Sequence, residues 1–246
     1  MTSPFIIPDW PAPKHIKAIS STRHGGVSKP PYDSLNLGAH VGDDISNVSK
    51  NRVWLEKEAS LPESPRWLDQ VHGDAIIESQ SWVQSAKADA IISTTVNHVC
   101  PIMTADCLPI LLCDKEGTQV AAIHAGWRSL ASGILEKTLQ RFKCAPNEIV
   151  AWLGPAIGPE KFEVGRDVFG AFTQSSESAS QSFKQTDESH YLADIYLLAM
   201  QKLHLHGTKA IFGGEHCTVL EQSDFFSYRR DGITGRMATM IWITPK

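Results

Sequence analysis

The stretch TADCLPILLCD, residues 104–114, determines the fold class that we predict for this chain. Its segment LPILL is a short continuous apolar run, which is typical of a strand that is buried on both faces. A second run of this kind, VAAI at 120–123, follows closely and leads into the segment HAGWRSL. Two adjacent strands therefore place Cys107 and His124 at the borders of one sheet, where each side chain can either pack or do chemistry.

Strand-like segments dominate the rest of the chain. The predicted strands cover residues 74–79, 88–93, 99–103, 109–114, 119–124, 148–154, 209–214 and 237–243. Helical spacing of apolar residues predicts helices at 46–59, 126–142, 166–172 and 191–206, the last ending at Gly207. Because the strands come in runs, a regular alternation of strand and helix is excluded. The pattern predicts an α+β fold in which sheets are covered by helices.

Chain length and complexity favour one domain over residues 1–246. A chain of 246 residues can bury a sizeable core, and it contains no internal repeat and no low-complexity linker. The most polar stretch, residues 173–190, is expected to form a surface loop or a poorly ordered segment and not a domain boundary.

Composition and charge exclude several classes of protein. A net charge of −4 and an isoelectric point near 6.2 argue against a nucleic-acid-binding protein. No apolar run reaches the length of a membrane span, and the N-terminus MTSPFIIPDWPAPK lacks the features of a signal peptide. The predicted location is the cytoplasm, where the five cysteines, widely spaced and without a CxxC pair, are expected to be thiols.

Three residues at predicted strand ends are candidates for chemistry. His124 lies where a strand gives way to a helix, Cys107 precedes the neighbouring strand, and His72 lies in WLDQVHGDAII before a third strand. Two histidines and one cysteine with an open fourth position form a catalytic zinc arrangement. The same residues can be a cysteine nucleophile with its histidine base, or buried packing residues. Spacing alone leaves these alternatives open.

Two segments rich in glycine and arginine suggest a binding surface. Residues 20–40 contain Arg23 and Asn36, and residues 225–236 contain three arginines, among them Arg229. Arginine forks suit phosphate and carboxylate groups, although solvated surface loops would have the same composition. We predict that Arg23, Asn36 and Arg229 contact the substrate, with the two arginines holding an anion.

Eight motifs, in order along the chain, carry a family resemblance. They are STRHGGVS, SLNLGAHVGDD, DQVHGD, MTADCLPILLCD, AAIHAGWR, WLGPAIGP, FEVG and FFSYRRDGITGRMA. Together they resemble the YfiH-type family, also called the multicopper polyphenol oxidase or laccase-domain family and, for its activity, a family of purine nucleoside phosphorylases. The match runs from about residue 8 to the C-terminus.

The resemblance implies a fold, a metal and an activity. The fold would be mixed β-sheets sandwiched between helices in α/β/β/α layers, in a monomer or weak homodimer. His72, Cys107 and His124 would bind a metal, usually zinc and in some claims copper, and would be the catalytic residues. The implied activities are phosphorolysis of adenosine, inosine, guanosine and methylthioadenosine, with deamination of adenosine to inosine. Purine nucleosides and phosphate are therefore the expected partners.

Other functions remain open from the residues. Cys107 with His124 as base would suit a cysteine hydrolase of an amide, such as one that proofreads a cell-wall peptide precursor. A copper polyphenol oxidase would need many more histidine ligands, and only HLH at 204–206 resembles such a pattern. A metal-buffering or interaction module is the alternative that is not an enzyme.

Overall fold

The computed structural model describes residues 3–174 and 176–246. Its strands are β1 (Phe5–Ile6), β2 (Ile16–Ser21), β3 (Ile76–Glu78), β4 (Ala90–Ser93), β5 (Cys100–Thr104), β6 (Leu108–Asp114), β7 (Val120–Ala125), β8 (Ile149–Leu153), β9 (Glu163–Gly165), β10 (Phe183–Gln185), β11 (His190–Ala193), β12 (Ala210–Gly213) and β13 (Met237–Ile243). Its α-helices are α1 (Ile45–Glu58), α2 (Trp127–Ala131), α3 (Ile134–Leu139), α4 (Arg166–Thr173), α5 (Ile195–Leu205) and α6 (Tyr228–Asp231). Short 3₁₀ turns lie at Ser79–Ser81, Pro146–Glu148 and Glu177–Ser182.

The largest sheet has six strands in the order β12-β8-β6-β7-β4-β3. Its outer pairs, β12 with β8 and β3 with β4, are parallel, and the inner pairs are antiparallel, so the sheet is mixed. Strand β6 lies inside this sheet and every one of its residues is buried. That double-sided burial explains why its sequence is a continuous apolar run and not an alternating one.

A second sheet of four strands, in the order β1-β2-β13-β5, packs face to face with the first. Buried residues of both sheets share one core, represented by Ile102 and Ile241 of the smaller sheet and Leu111 of the larger. The other face of the six-stranded sheet packs against α2 to α5, and the other face of the four-stranded sheet packs against Leu55 of α1. The order of these layers is helix, sheet, sheet, helix.

The predicted α+β class with mixed sheets is confirmed, and each of the eight predicted strands overlaps an observed strand. Five strands were not predicted. They are the three strands of the small sheet, β10, β11 and β9, and two strands of the four-stranded sheet, β1 and the buried β2, which pairs with β13.

Three predicted elements differ from the structure. The helix expected over 126–142 is two helices, because Gly133 has a φ of +89° that interrupts the helical path. The helix expected over 191–206 begins at Ile195, since the residues before it pair as β11. The polar stretch 173–190 is not a simple loop, because its described residues form a 3₁₀ turn and β10, while Ser175 lies outside the described residues.

In the described part of the chain, the helices are all too short or too polar to cross a lipid bilayer.

Candidate metal centre

The turn between β5 and β6 carries Cys107. Strand β5 belongs to the four-stranded sheet and β6 to the six-stranded sheet, so Cys107 lies where the chain crosses between the two sheets. The preceding residue, Asp106, has a φ of +96°, a conformation that side chains rarely adopt. Its carboxylate accepts a hydrogen bond from Thr218 Oγ1 at 2.6 Å and another from the Arg229 backbone N–H at 2.6 Å. Contacts from distant parts of the chain therefore fix the turn.

His124 comes from β7, the strand that pairs with β6. Its backbone lies opposite Pro109 in the sheet, and its side chain is only 3% exposed. His124 Nδ1 lies 2.7 Å from Oδ1 of Asp89, whose side chain is fully buried. Because a carboxylate can only accept, Asp89 holds a proton on Nδ1, and Nε2 is the nitrogen that can give up its proton to bind a metal.

The same carboxylate also shapes the turn that carries His72. Asp89 accepts hydrogen bonds from the backbone N–H groups of Val71, His72 and Gly73, at 3.2, 2.9 and 2.7 Å. His72 has a φ of +58°, in the left-handed region where histidine is tolerated better than branched residues. Asp89 therefore orients two of the three candidate ligands. It bonds to the imidazole ring of His124 and to the backbone of His72.

The ligand atoms of His72, Cys107 and His124 converge. All three lie within 4.8 Å of one another, and Cys107 Sγ is 3.8 Å from His72 Nε2. Ligand atoms around a tetrahedral zinc ion are separated by about 3.3 to 3.8 Å. A Cβ on Gly126 would lie 3.1 Å from Cys107 Sγ and 3.1 Å from the His72 ring, so glycine keeps this space open. Two imidazole nitrogens and a thiolate sulfur thus fit a zinc ion in chemistry, and a contraction of about 1 Å or less would bring all three to zinc-ligand spacing.

Charges inside the site favour an ionised thiol. Burial opposes the thiolate of Cys107, but His124 and His72 outweigh it and lower the pKa of the thiol to about 6. Burial likewise opposes a charged His124, but Cys107 and Asp89 outweigh it and raise the pKa of that imidazole to about 9. Burial would raise the pKa of Asp89, yet its hydrogen bonds to His124 and Gly73 hold it below the ordinary value. A thiolate is the form that binds metal or attacks a substrate.

The three side chains line a cavity of about 420 Å³. We call it the metal-site cavity, and its lining residues are His40, Gln70, His72, Met103, Thr104, Ala105, Cys107, His124, Tyr228 and Arg236. Gln70 is held by hydrogen bonds of 2.8 Å in both directions with the Met103 backbone of β5. Burial, and then the charge of Arg236, lowers the pKa of His40 on this wall. The wall therefore combines fixed polar groups with positive charge.

Comparison with known proteins gives the family of the chain. A family model described as multi-copper polyphenol oxidoreductase laccase matches residues 17–244. Purine nucleoside phosphorylase YfiH of Escherichia coli strain K12 is 53% identical over 242 residues, which is 98% of this chain and 99% of that protein. The chain belongs to the YfiH-type family. The resemblance carried by the eight motifs is thus confirmed.

Solved structures of relatives agree with this family membership. A crystal structure of a Neisseria meningitidis protein is 46% identical and has a TM-score of 0.95, covering 99% of this chain and 100% of that one. The crystal structure of YlmD from Geobacillus stearothermophilus is 31% identical with a TM-score of 0.87, covering 94% and 93%. The YfiH-type fold is therefore shared by this chain over almost its whole length.

The residues predicted to contact the substrate lie elsewhere in this YfiH-type fold. Arg23 and Arg229 are not among the residues that line the metal-site cavity, and their guanidinium groups donate to backbone carbonyls. Asn36 is completely buried and bonds to the backbone of Gly38 and Arg236. Direct contact of these three residues with substrate stays a prediction.

Sequence reasoning missed several polar residues of the site, and Asp89 and Arg236 are the two with the most direct bearing on its chemistry. Asp89 directly precedes the predicted apolar strand segment AIIS, and a lone carboxylate at a buried strand was the available signal. Arg236 was one of three arginines in residues 225–236, and nothing in the sequence distinguishes the one that reaches the cavity.

Proposed function

We propose that this chain is a zinc-dependent purine nucleoside phosphorylase that also deaminates adenosine to inosine. The observation that carries the proposal is the convergence of His72, Cys107 and His124 in a cavity of about 420 Å³. Pockets for small molecules have volumes of about 300 to 1,000 Å³, so a nucleoside can be enclosed. The Haemophilus influenzae relative, 47% identical over 239 residues, carries the name purine nucleoside phosphorylase, as the Escherichia coli protein does.

The proposed substrates are adenosine, inosine, guanosine and methylthioadenosine with phosphate. In phosphorolysis, a phosphate oxygen forms a bond to C1′ of the ribose while the bond from C1′ to the base breaks. The electron pair leaves with the purine, which takes a proton at N7. The titratable groups that face the metal-site cavity include His40 and Tyr228. Because the pKa of His40 is lowered, we propose Tyr228 as the proton donor.

His72, Cys107 and His124 are the residues that would hold the zinc ion. A zinc ion with three protein ligands lowers the pKa of a bound water toward neutrality, which is the nucleophile that deamination requires. Asp89 holds a proton on His124 Nδ1, so Nε2 is the nitrogen that would bind the ion. The cavity wall formed by Met103 and Ala105 excludes part of the solvent from the reacting groups.

A cysteine amide hydrolase is the second candidate, because a specific observation favours it. Cys107, His124 and Asp89 form a chain of nucleophile, base and orienting carboxylate, and the pKa of Cys107 is lowered to about 6. Such an enzyme, acting for example on a cell-wall peptide precursor, would turn over without metal and would form a covalent adduct on Cys107.

Copper oxidase chemistry has weaker support. A laccase requires a mononuclear copper site and a trinuclear copper cluster, which together take about ten histidines. Within residues 3–174 and 176–246, His72, Cys107 and His124 are the one group of three or more such ligands close enough to share a metal ion. His204 and His206 lie at the end of α5 and belong to no such group.

The test is product analysis with adenosine in the presence and absence of phosphate. The zinc-loaded protein should yield inosine without phosphate, and with phosphate it should also yield adenine, ribose 1-phosphate and hypoxanthine from phosphorolysis of the inosine formed. Cys107→Ala should lose both activities, whereas Cys144→Ala, a matched cysteine outside the metal-site cavity, should keep them. If neither product exceeds the Cys107→Ala level, the nucleoside function is wrong. Amide hydrolysis that survives chelation would then support the second candidate.

A further inference from the structure

The position of Arg236 is built by residues from another part of the chain. Its backbone N–H donates to Asn36 Oδ1 at 2.9 Å, and Asn36 Nδ2 donates in turn to Asp43 at 2.9 Å. The side-chain stem runs over Gly38, where a Cβ would lie 2.8 Å from Arg236 Cγ. The buried asparagine and the glycine of the motif SLNLG therefore place one arginine at the metal-site cavity.

The guanidinium group of Arg236 is held on one side only. Its Nη1 donates to the carbonyls of Thr234 at 3.1 Å and Gly235 at 2.9 Å. Across the residues that the structure describes, Nε and Nη2 make no hydrogen bond. These two groups form the parallel pair of N–H donors that matches two oxygens of a phosphate or carboxylate.

Arg23 and Arg229, the two arginines predicted to hold an anion, differ from Arg236 in their contacts or in their position. Arg23 donates from Nε to the Asp33 carbonyl and from Nη1 to the Gln222 carbonyl, and its Nη2 lies 3.3 Å from the Asp33 carboxylate, so its guanidinium group is occupied. Within the described residues, the guanidinium group of Arg229 donates only from Nη1, to the carbonyls of Lys161 and Glu163, but it does not line the metal-site cavity. Arg236 alone of the three also lines the metal-site cavity.

The surroundings of Arg236 suit an anion that would lie between its guanidinium group and the candidate metal centre. The charged groups that act on its guanidinium most strongly are Cys107 and Asp106, which places the arginine beside the candidate metal centre. His40 lies on the same wall and senses the positive charge of Arg236. The carboxylate of Asp106 bonds to Thr218 and to the Arg229 backbone, and the guanidinium group of Arg236 bonds, among the described residues, only to the carbonyls of Thr234 and Gly235.

We propose that Arg236 is the phosphate-binding residue of the metal-site cavity, and that Asn36 and Gly38 are positioning residues that aim it. The choice of phosphate as the anion rests on the proposed phosphorylase function, whereas an anion site at Arg236 does not. The two segments rich in glycine and arginine were predicted to form a binding surface. In this proposal the guanidinium group of Arg236 contacts the anion, and Asn36 acts only by positioning Arg236.

The first measurement is phosphate binding, which needs no turnover. Inorganic phosphate at about a hundred times its Kd should raise the Tm of the zinc-loaded protein by about 5 to 10 °C. In Arg236→Met, which keeps an apolar stem over Gly38 but lacks the donors, this shift should fall to about half or less. Arg141→Met is the matched control, since Arg141 is 55% exposed and lies outside the metal-site cavity.

The second measurement is the KM for phosphate in adenosine phosphorolysis. Loss of a charge-assisted pair of hydrogen bonds should raise the KM for phosphate by about 10- to 100-fold in Arg236→Met and leave the KM for adenosine within about twofold. Arg236→Lys should recover part of the loss because it restores the charge. If circular dichroism shows that Arg236→Met is unfolded, the KM for phosphate of Arg236→Lys tests the proposal instead, and we expect it to rise by about tenfold.

The outcomes separate this proposal from the proposed function. A phosphate-dependent Tm shift that is lost in Arg236→Met, without phosphorolysis by the unsubstituted protein, would support the anion site and overturn the phosphorylase. Phosphorolysis whose KM for phosphate is unchanged in the folded Arg236 variants would overturn the anion site. An equal loss in Arg141→Met would overturn it as well, because the effect would then be general electrostatics.

Discussion

Among single residues, Asp89 has the widest influence on the candidate metal centre. Its two oxygens accept the Nδ1 proton of His124 and three backbone N–H groups of the His72 turn. An amide at this position must turn its NH₂ group toward N–H donors whichever way it points. Asp89→Asn should therefore weaken zinc binding by about 10- to 100-fold, as measured by competition with a chromophoric chelator.

A second buried carboxylate provides the control for this prediction. Asp114 also accepts hydrogen bonds from a turn, at Thr118 and Gln119, but it lies outside the metal-site cavity. Asp114→Asn should lower the free energy of unfolding and leave zinc affinity unchanged. If both substitutions reduce zinc affinity equally, the effect comes from general destabilisation and not from orientation of the ligands.

Cys107 should have an unusual pH profile after zinc is removed by chelation. His124 and His72 overcome the effect of burial and lower its pKa from 9.0 to about 6. The thiolate is the reactive form, so the alkylation rate should rise as pH increases through about 6 and then level off. Cys144, whose pKa burial raises above the ordinary value, should reach its full reactivity only at a higher pH than Cys107 does. Peptide mass spectrometry after iodoacetamide pulses at several pH values measures both rates. A Cys107 midpoint near 9 would contradict the expected ion pair.

The sequence and its family resemblance allowed prediction of the candidate ligands but not of the residue that orients them. His72, Cys107 and His124 are chemically conspicuous and stand at the borders of predicted strands. Asp89 acts on His72 through the backbone, and no spacing in the sequence indicates such a contact. The free guanidinium fork of Arg236 likewise depends on which carbonyls its neighbours use, and this is decided only by the folded chain.

At the level of secondary-structure elements, sequence prediction failed where the conformation of a single residue ends a helix and where a strand is short. Apolar spacing over 126–142 matches one helix, and the spacing does continue on one buried face through α2 and α3. The left-handed Gly133 lies between them and changes the direction of the chain, which periodicity cannot register. Strand β2 was missed because its IKAISS sequence is short and ends in serines, yet nearly all its residues are buried.

The junction of β7 and α2 is the element boundary on which the site depends. Gly126 has an ordinary φ of −61°, so the need for glycine comes from space and not from backbone strain. The methyl group of Gly126→Ala would meet Cys107 and His72 at 3.1 Å, tighter than most van der Waals contacts. We expect zinc affinity to fall by at least about tenfold while the circular dichroism spectrum is retained, because a small displacement of ligands is costly at a metal site.

Gly170 in α4 is the matched glycine for that experiment. An added Cβ there would approach only Gln174 Nε2, at 3.7 Å, and the residue lies within a helix. Gly170→Ala should raise the free energy of unfolding by about 0.5 to 1 kcal/mol and leave zinc affinity unchanged. Equal zinc affinities in the Gly126 and Gly170 variants would show that the space beside Cys107 is not needed.

For the whole molecule, the sheets bring together residues that are distant in sequence. His72 precedes β3 at one edge of the six-stranded sheet, His124 comes from β7, and Cys107 lies where the chain arrives from the four-stranded sheet. Strand content and runs were enough to predict an α+β class. The sequence does not show which strands pair. Strand β13, near the C-terminus, pairs with β2 and β5, which are both distant from it along the chain.

A metal ion that joins such distant segments should stabilise the entire fold. Zinc that binds the native chain through His72, Cys107 and His124, but not the unfolded chain, adds about 2.7 kcal/mol at a hundred times its Kd. For a chain of 246 residues this corresponds to a rise in Tm of about 5 to 11 °C over the chelated protein. Calorimetry should show this rise in the unsubstituted protein and in Cys144→Ala. It should be absent in Cys107→Ala, because two histidines alone hold zinc weakly, and a full rise there would mean that Cys107 is not a ligand.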